Sequence, residues 1–313
     1  MEKFHIIRLS FSVESKQSHL IERAAARLAE TQVAPPQAKF LPDIPARIAR
    51  NMPAGHTSAL RESGRTQAGA DGGPPHIDAA SLANTGLIHQ SNNRVAEELR
   101  IIQNRVLRQS FGANRAASES ANLVMITSAL KAEGKTFISI NLAGEIARQG
   151  DRRVLLVDTD AKPGSLSRKL GRASARGLVD LACDIGLEAD DVIIPTEVEG
   201  FDVLPFGRND ERRGEILASR RMGEVIEEIG HRYPDRVIIF DAPPCLSSST
   251  PHALASVCGQ AVVVVAASST QQADVEAALD LLQVCPQVSL LLNKVPPWMA
   301  HSFGSYSYPG PEA

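Results

Sequence analysis

The sequence predicts an α/β fold: a mostly parallel twisted sheet with helices on both faces, preceded by a largely disordered N-terminal region. Three observations carry that prediction. Six short apolar runs, each closed by polar or turn residues, recur between residues 121 and 295, and stretches of helical period separate them. Apolar residues make up 43% of the chain, enough to bury a sizeable core. Strands buried on both faces read as continuous apolar runs, and strands alternating with helices pair in parallel through right-handed crossovers.

The runs are Leu123–Ile126, Val154–Val157, Val203–Leu204, Val237–Phe240, Ala261–Ala266 and Val288–Leu292. The helices between them are expected at Lys135–Gln149, Glu211–Ile229 and Gln271–Val284, with Gly150 and Gly230 placed as helix stops. Ahead of the first strand, Val95, Leu99, Ile102 and Val106 repeat at i, i+4, i+7 and i+11, which predicts an amphipathic helix over about 93–110. Between Thr31 and Pro75, seven prolines and five glycines destroy any period, so this stretch reads as a flexible linker. Before it, Leu20, Ile21, Ala24, Ala25 and Leu28 share a face and predict a short helix over about 18–30, weakly docked or partner-binding. The expected organisation is an N-terminal region 1–90, a main domain 91–296 and a flexible tail 297–313.

Composition removes several function classes. The net charge of −3 argues against binding nucleic acid by bulk charge, and 4% aromatics argues against base-stacking platforms. The longest apolar run, Ala261–Ala267, is far short of the roughly 20 residues that span a bilayer. The N-terminus breaks into charge too early for a secretory signal, and the four cysteines are scattered, so a cytoplasmic location with unpaired thiols is expected. No His-Glu-x-x-His pattern supports a zinc site.

Parallel sheets bind ligands at the carboxyl ends of their strands. There the first run is followed by Thr127-Ser-Ala-Leu-Lys-Ala-Glu-Gly-Lys-Thr136. This matches the phosphate-loop pattern G-x-x-x-x-G-K-[ST] at Gly134, Lys135 and Thr136, with Ala129 where the first glycine usually stands. Such a loop turns backbone N–H groups toward a phosphate, and the helix starting at Lys135 presents its positive end to the anion. Ser128, Ala129, Ala132, Glu133, Gly134 and Phe137 join Lys135 and Thr136 as the expected nucleotide-binding set. Lys135 is expected to reach the β- and γ-phosphates of ATP, and the Thr136 hydroxyl to ligate Mg²⁺.

Two acidic segments end later strands: Val154-Leu-Leu-Val-Asp158-Thr-Asp160 and Val237-Ile-Ile-Phe-Asp241-Ala-Pro-Pro244. Asp241 resembles a Walker B carboxylate holding Mg²⁺ directly or through water. A lone strand-end aspartate is often only a cap or turn former, but a buried trio beside a phosphate loop needs a cation. Asn293 closes the last strand, either to read an adenine edge or as a strand-end turn residue. Two of the three tyrosines, Tyr306 and Tyr308, fall in the glycine-, serine- and proline-rich tail. There the exposed hydroxyl is the available chemistry. The segment from Asn293 to Tyr308 extends at most about 50 Å, enough to reach its own site or a neighbour's.

These residues together resemble the bacterial tyrosine kinases of exopolysaccharide and capsule synthesis, members of the P-loop NTPase fold. The branch most resembled is that of soluble tyrosine autokinases encoded with exosortase-type loci. The resemblance covers about 90–308, and more weakly the helix at 18–30. It implies that Asp158 assists deprotonation of the incoming tyrosine, that Asp160 helps hold Mg²⁺, and that Tyr306 and Tyr308 are phosphoacceptors. It further implies self-association through a Glu-x-x-Arg-x-x-Arg motif, matched at Glu97 and Arg100 with Gln103 in the last place, and a membrane polysaccharide co-polymerase as partner that recruits the protein to the inner membrane face. The family's usual Pro-Gly before Glu-Gly-Lys is Lys131-Ala132 here, and its arginine after the second aspartate is Lys162. Two other readings share the fold: a partitioning- or septum-type ATPase switch, whose signature lysine position is Leu130 here, and an ATP-binding regulator with little kinase activity.

Overall fold

The computed structural model describes residues 7–9, 75–88, 94–112, 120–162, 164–208, 213–267 and 269–295. The expected helix at 18–30, nearly all of the linker and the tyrosine tail lie outside the described residues. Eight strands form one sheet: β1 (Ile7–Leu9), β2 (Leu123–Ser128), β3 (Arg153–Asp158), β4 (Ile194–Pro195), β5 (Phe201–Leu204), β6 (Arg236–Asp241), β7 (Gln260–Ala266) and β8 (Val288–Asn293). Their order is β1-β8-β7-β2-β6-β3-β5-β4. The six central strands are parallel, as the apolar runs predict, and β1 and β4 add antiparallel edges.

Side chains alternate across the pleat and feed two core layers. Leu123, Met125, Leu155, Val157, Ile238 and Phe240 face one layer. It is covered by α5 (Leu178–Cys183), α6 (Arg213–Leu217), α7 (Arg220–Arg232), α8 (Thr250–Ala255) and α9 (Gln272–Leu281). Val124, Ile126, Val154, Leu156, Val237 and Ile239 face the other. That side carries α1 (Ala79–Thr85), α2 (Arg94–Phe111), α3 (Lys135–Gln149) and α4 (Leu166–Lys169).

Three expectations are corrected. The domain begins before residue 91. Asp78 caps α1 by accepting from the Ser81 amide, Ile77 bridges to Thr196, and Ile77, Leu82 and Leu87 are buried in the second layer. The helix expected at Glu211–Ile229 is two helices, because the Ser219 side chain accepts from Met222 N–H and starts α7 afresh. Gly230 is not a stop but lies inside α7, where a side chain would press on Leu123; Gly150, at φ 81°, does end α3. The four cysteines are free thiols, three of them buried.

Candidate nucleotide site

The strand order explains why the motifs meet. β2 lies between β7 and β6, and β3 lies beyond β6, so the loop after β2 is flanked by the ends of the two acidic strands and of β7. Asp158 and Asp241 are register partners on β3 and β6, and the Thr159 N–H and hydroxyl both donate to the Asp241 carbonyl.

Gly134 opens α3 at φ 102°, a conformation that favours glycine, and no side chain caps the helix, leaving its first amides directed at the loop interior. Lys135 Nζ lies 3.6 Å from Asp160 Oδ2, and both groups are largely shielded from solvent. Asp241 is almost fully buried. Its Oδ1 accepts from Ser139 Oγ at 3.0 Å, its Oδ2 has no hydrogen-bond partner, and the nearby Thr136 side chain favours the charged form. Burial drives its pKa up to about 7; Lys135 counters this and Asp158 adds to it.

Asp158 is fully enclosed. Its Oδ1 accepts from Asp160 N–H at 3.0 Å and its Oδ2 from Ser167 N–H at 2.7 Å. Burial raises its pKa, and the Ser167 hydrogen bonds oppose that. Among the described residues no group of three or more His, Cys, Asp or Glu forms a ready cation cage. The orphaned Asp241 oxygen beside the Thr136 hydroxyl fits a divalent ion whose remaining ligands come from phosphate oxygens and water.

Other expected residues stand differently. Ala129 is buried in the core, and its carbonyl accepts from Leu246 N–H. Ser128 Oγ donates to the Leu130 carbonyl at 2.7 Å, so it shapes the loop from within. Phe137 packs toward the Gly86 turn in the second layer, leaving only its backbone near the loop. Asn293 is buried, its Nδ2 donates to the Glu133 carbonyl at 2.8 Å, and its Oδ1 has no hydrogen-bond partner. The Glu133 side chain likewise turns into the protein. Ala132 holds a positive φ of 63° at the exposed tip beside Lys131. Lys162 Nζ lies 3.4 Å from the Ser247 carbonyl and hydroxyl.

Glu97 and Arg100 sit on α2, well away from the loop. Arg100 pairs with Glu97 and with Glu145 of α3, the latter at 3.1 Å, and Arg148 closes the group at 2.9 Å. Gln103 is buried and hydrogen-bonds Gln149, so the last place of that motif faces this chain's own α3.

A Lys-Thr phosphate loop, a Walker B aspartate and a second acidic strand end on a parallel sheet define a P-loop nucleotide-binding protein. The chain belongs to the AAA domain family, which matches residues 124–294. It is 36% identical over 126 residues to the tyrosine-protein kinase wzc of Salmonella typhi, covering 40% of this chain and 17% of that protein. It is 31% identical over 164 residues to the tyrosine-protein kinase ptk of Acinetobacter johnsonii, covering 52% of this chain and 22% of that one. The chain thus spans about a fifth of the length of these relatives. It spans 67% of the tyrosine-protein kinase YwqD of Bacillus subtilis, at 29% identity over 52% of this chain. Among solved structures, the chimerical protein CapA2B2 superposes at a TM-score of 0.56 with 24% identity, over 71% of this chain and 93% of that one. The kinase domain of Escherichia coli tyrosine kinase ETK gives 0.51 with 23% identity, over 68% and 79%. These superpositions establish the shared fold. In sequence the chain is similar to proteins named tyrosine-protein kinases, the family its motifs resemble.

Proposed function

We propose that the protein is an ATP- and Mg²⁺-dependent tyrosine autokinase that phosphorylates Tyr306 and Tyr308 in its own tail and regulates exopolysaccharide synthesis or export. The observation that carries this reading is the buried, unpartnered Asp241 oxygen beside Thr136, with Lys135 held between Asp241 and Asp160. Lys135 pairs with Asp160 and offsets only part of the buried charge of Asp241, which Asp158 increases, so these strand ends favour further positive charge. The relatives named tyrosine-protein kinases make phosphoryl transfer to tyrosine the chemistry of choice.

In this reading Lys135 and the first amides of α3 bind the triphosphate, releasing Lys135 from Asp160. Thr136, Asp241 and Asp160 would hold the magnesium ion, which would offset charge on the transferring group. A phenol with a pKa near 10 benefits from a positioned base. The raised pKa of Asp158 suits that task, and because the carboxyl group is fully enclosed the hydroxyl reaches it only after its cover opens. Phosphorylation adds about −1.5 to −2 charge per tyrosine and repels the nucleotide edge, a route to disassembly of a homo-oligomer contacting through Glu97 and Arg100. In this reading the chemistry lies on the cytoplasmic side, with a membrane polysaccharide co-polymerase as recruiting partner.

Incubation of the full chain with γ-labelled ATP and Mg²⁺, followed by phosphotyrosine mapping, tests the reading. Label at Tyr306 and Tyr308 that is lost in Lys135→Met supports it. ATP hydrolysis without phosphotyrosine assigns the protein to the ATPase switches, and binding without either product makes it a regulator.

A further inference from the structure

We propose that Glu133 and Asn293 are positioning residues that fasten the phosphate loop to the ends of β7 and β8, so that it holds its binding shape before nucleotide arrives. The inference rests on the nucleotide-site reading and adds to it the device that preorganises the loop. Glu133 precedes Gly134 and Lys135, yet its carboxylate turns away from the loop interior and is 2% exposed. One oxygen accepts from the Leu130 N–H at the start of the loop. The other accepts from the Ala266 N–H at the end of β7, at 3.2 Å, and from the Thr270 hydroxyl just beyond it. One side chain thus ties both arms of the loop to the neighbouring strand. From the other side, Asn293 at the end of β8 donates to the Glu133 carbonyl at 2.8 Å. It comes so close that a Cβ on Gly134 would overlap its amide nitrogen.

The chemistry of the clamp requires a carboxylate. Three donors converge on Glu133, and an ionised carboxylate is an acceptor at both oxygens. A glutamine would aim an NH₂ group at a donor and lose at least one of the three bonds. The clamp also accounts for the unusual tip. Ala132 sits at φ 63°, a conformation an alanine adopts at a cost, in the short turn that the Leu130–Glu133 bond closes. A loop ordered in advance leaves less ordering to be done on binding, so the clamp acts on nucleotide affinity.

The test uses the full chain and three variants: Glu133→Gln, Thr270→Val and Thr270→Ser. Two quantities are read: amide hydrogen exchange of residues 129–134 without nucleotide, and the Kd for a fluorescent ADP analogue with Mg²⁺. Glu133→Gln is expected to speed loop exchange about tenfold and to weaken the analogue about tenfold. Thr270→Val should show a smaller change in the same direction, and Thr270→Ser, which restores the hydroxyl, should match the parent. Turnover lost in Glu133→Gln should return at saturating ATP. Parental loop exchange and parental Kd in a folded Glu133→Gln overturn the proposal. If that variant does not fold, Thr270→Val decides: an effect equal in Thr270→Ser, or no effect, overturns it equally. A parent chain that binds no ADP analogue removes the nucleotide reading instead, and the exchange measurement then judges the clamp alone.

Discussion

Replacing Asp241 by asparagine should stabilise the nucleotide- and metal-free protein, and more so as the pH rises. The carboxyl group is enclosed, one oxygen is unpartnered, and its pKa stands at about 7 against an ordinary 3.8. A carboxyl whose pKa is raised on folding favours the folded state below its unfolded value and loses that benefit as the pH climbs through its folded value. At about 1.4 kcal/mol per pH unit, the full penalty above pH 7 is on the order of 4 kcal/mol. Between pH 5 and pH 8 the change is about 2–3 kcal/mol, because part of the penalty is already present at pH 5. Asp241→Asn carries no charge to bury and keeps an acceptor for Ser139. Its melting temperature relative to the parent should therefore rise by roughly 5 °C between these two pH values, at about 2–4 °C per kcal/mol. Scanning calorimetry in chelator at pH 5 and pH 8 measures the gap. A gap that is equal at the two pH values, or that narrows at pH 8, refutes the reasoning. The same variant should lose the stabilisation that Mg²⁺ and nucleotide give the parent.

Other substitutions probe separate parts of the argument. Asn122→Ala strips the amide that donates to the carbonyls of Gly230, Tyr233 and Arg236, and should cost about 2 kcal/mol in urea unfolding. Gly134→Ala should weaken nucleotide binding at least tenfold by calorimetric titration, since its φ of 102° and the Asn293 amide both exclude a side chain. Asp158→Asn should abolish phosphotyrosine formation and also lower stability by about 1–3 kcal/mol, because an amide NH₂ would face the N–H of Asp160 or Ser167. Stability equal to the parent would show that those two contacts are not important to the fold.

Much of the fold can be read from the sequence because its central strands are buried on both sides, and burial of that kind writes itself as uninterrupted Val, Ile and Leu. The edges are a different matter. Ile7–Leu9 and Ile194–Pro195 are two- and three-residue pairings set by their neighbours, and nothing in their composition marks them. Residues 77–88 follow a proline-rich stretch, and only the Asp78–Ser81 cap hints at the helix. In the site, Lys135, Thr136 and Asp241 are legible because spacing and strand position fix their roles. Glu133 and Asn293 also stand out by position, but their anchoring is hidden, since their partners lie 133–160 residues away in sequence and only the sheet order brings them together. The motif at Glu97 and Arg100 shows the same limit: its last place, Gln103, is engaged with this chain's own Gln149.

Among the described residues the parallel core carries antiparallel segments at both margins, β1 beside β8 and the two-residue β4 beside β5. A margin as short as β4 gives another chain little backbone on which to add a strand. At the β4 margin, association with another chain would therefore fall to helix surfaces and charged side chains, contacts that salt can loosen without unravelling the sheet.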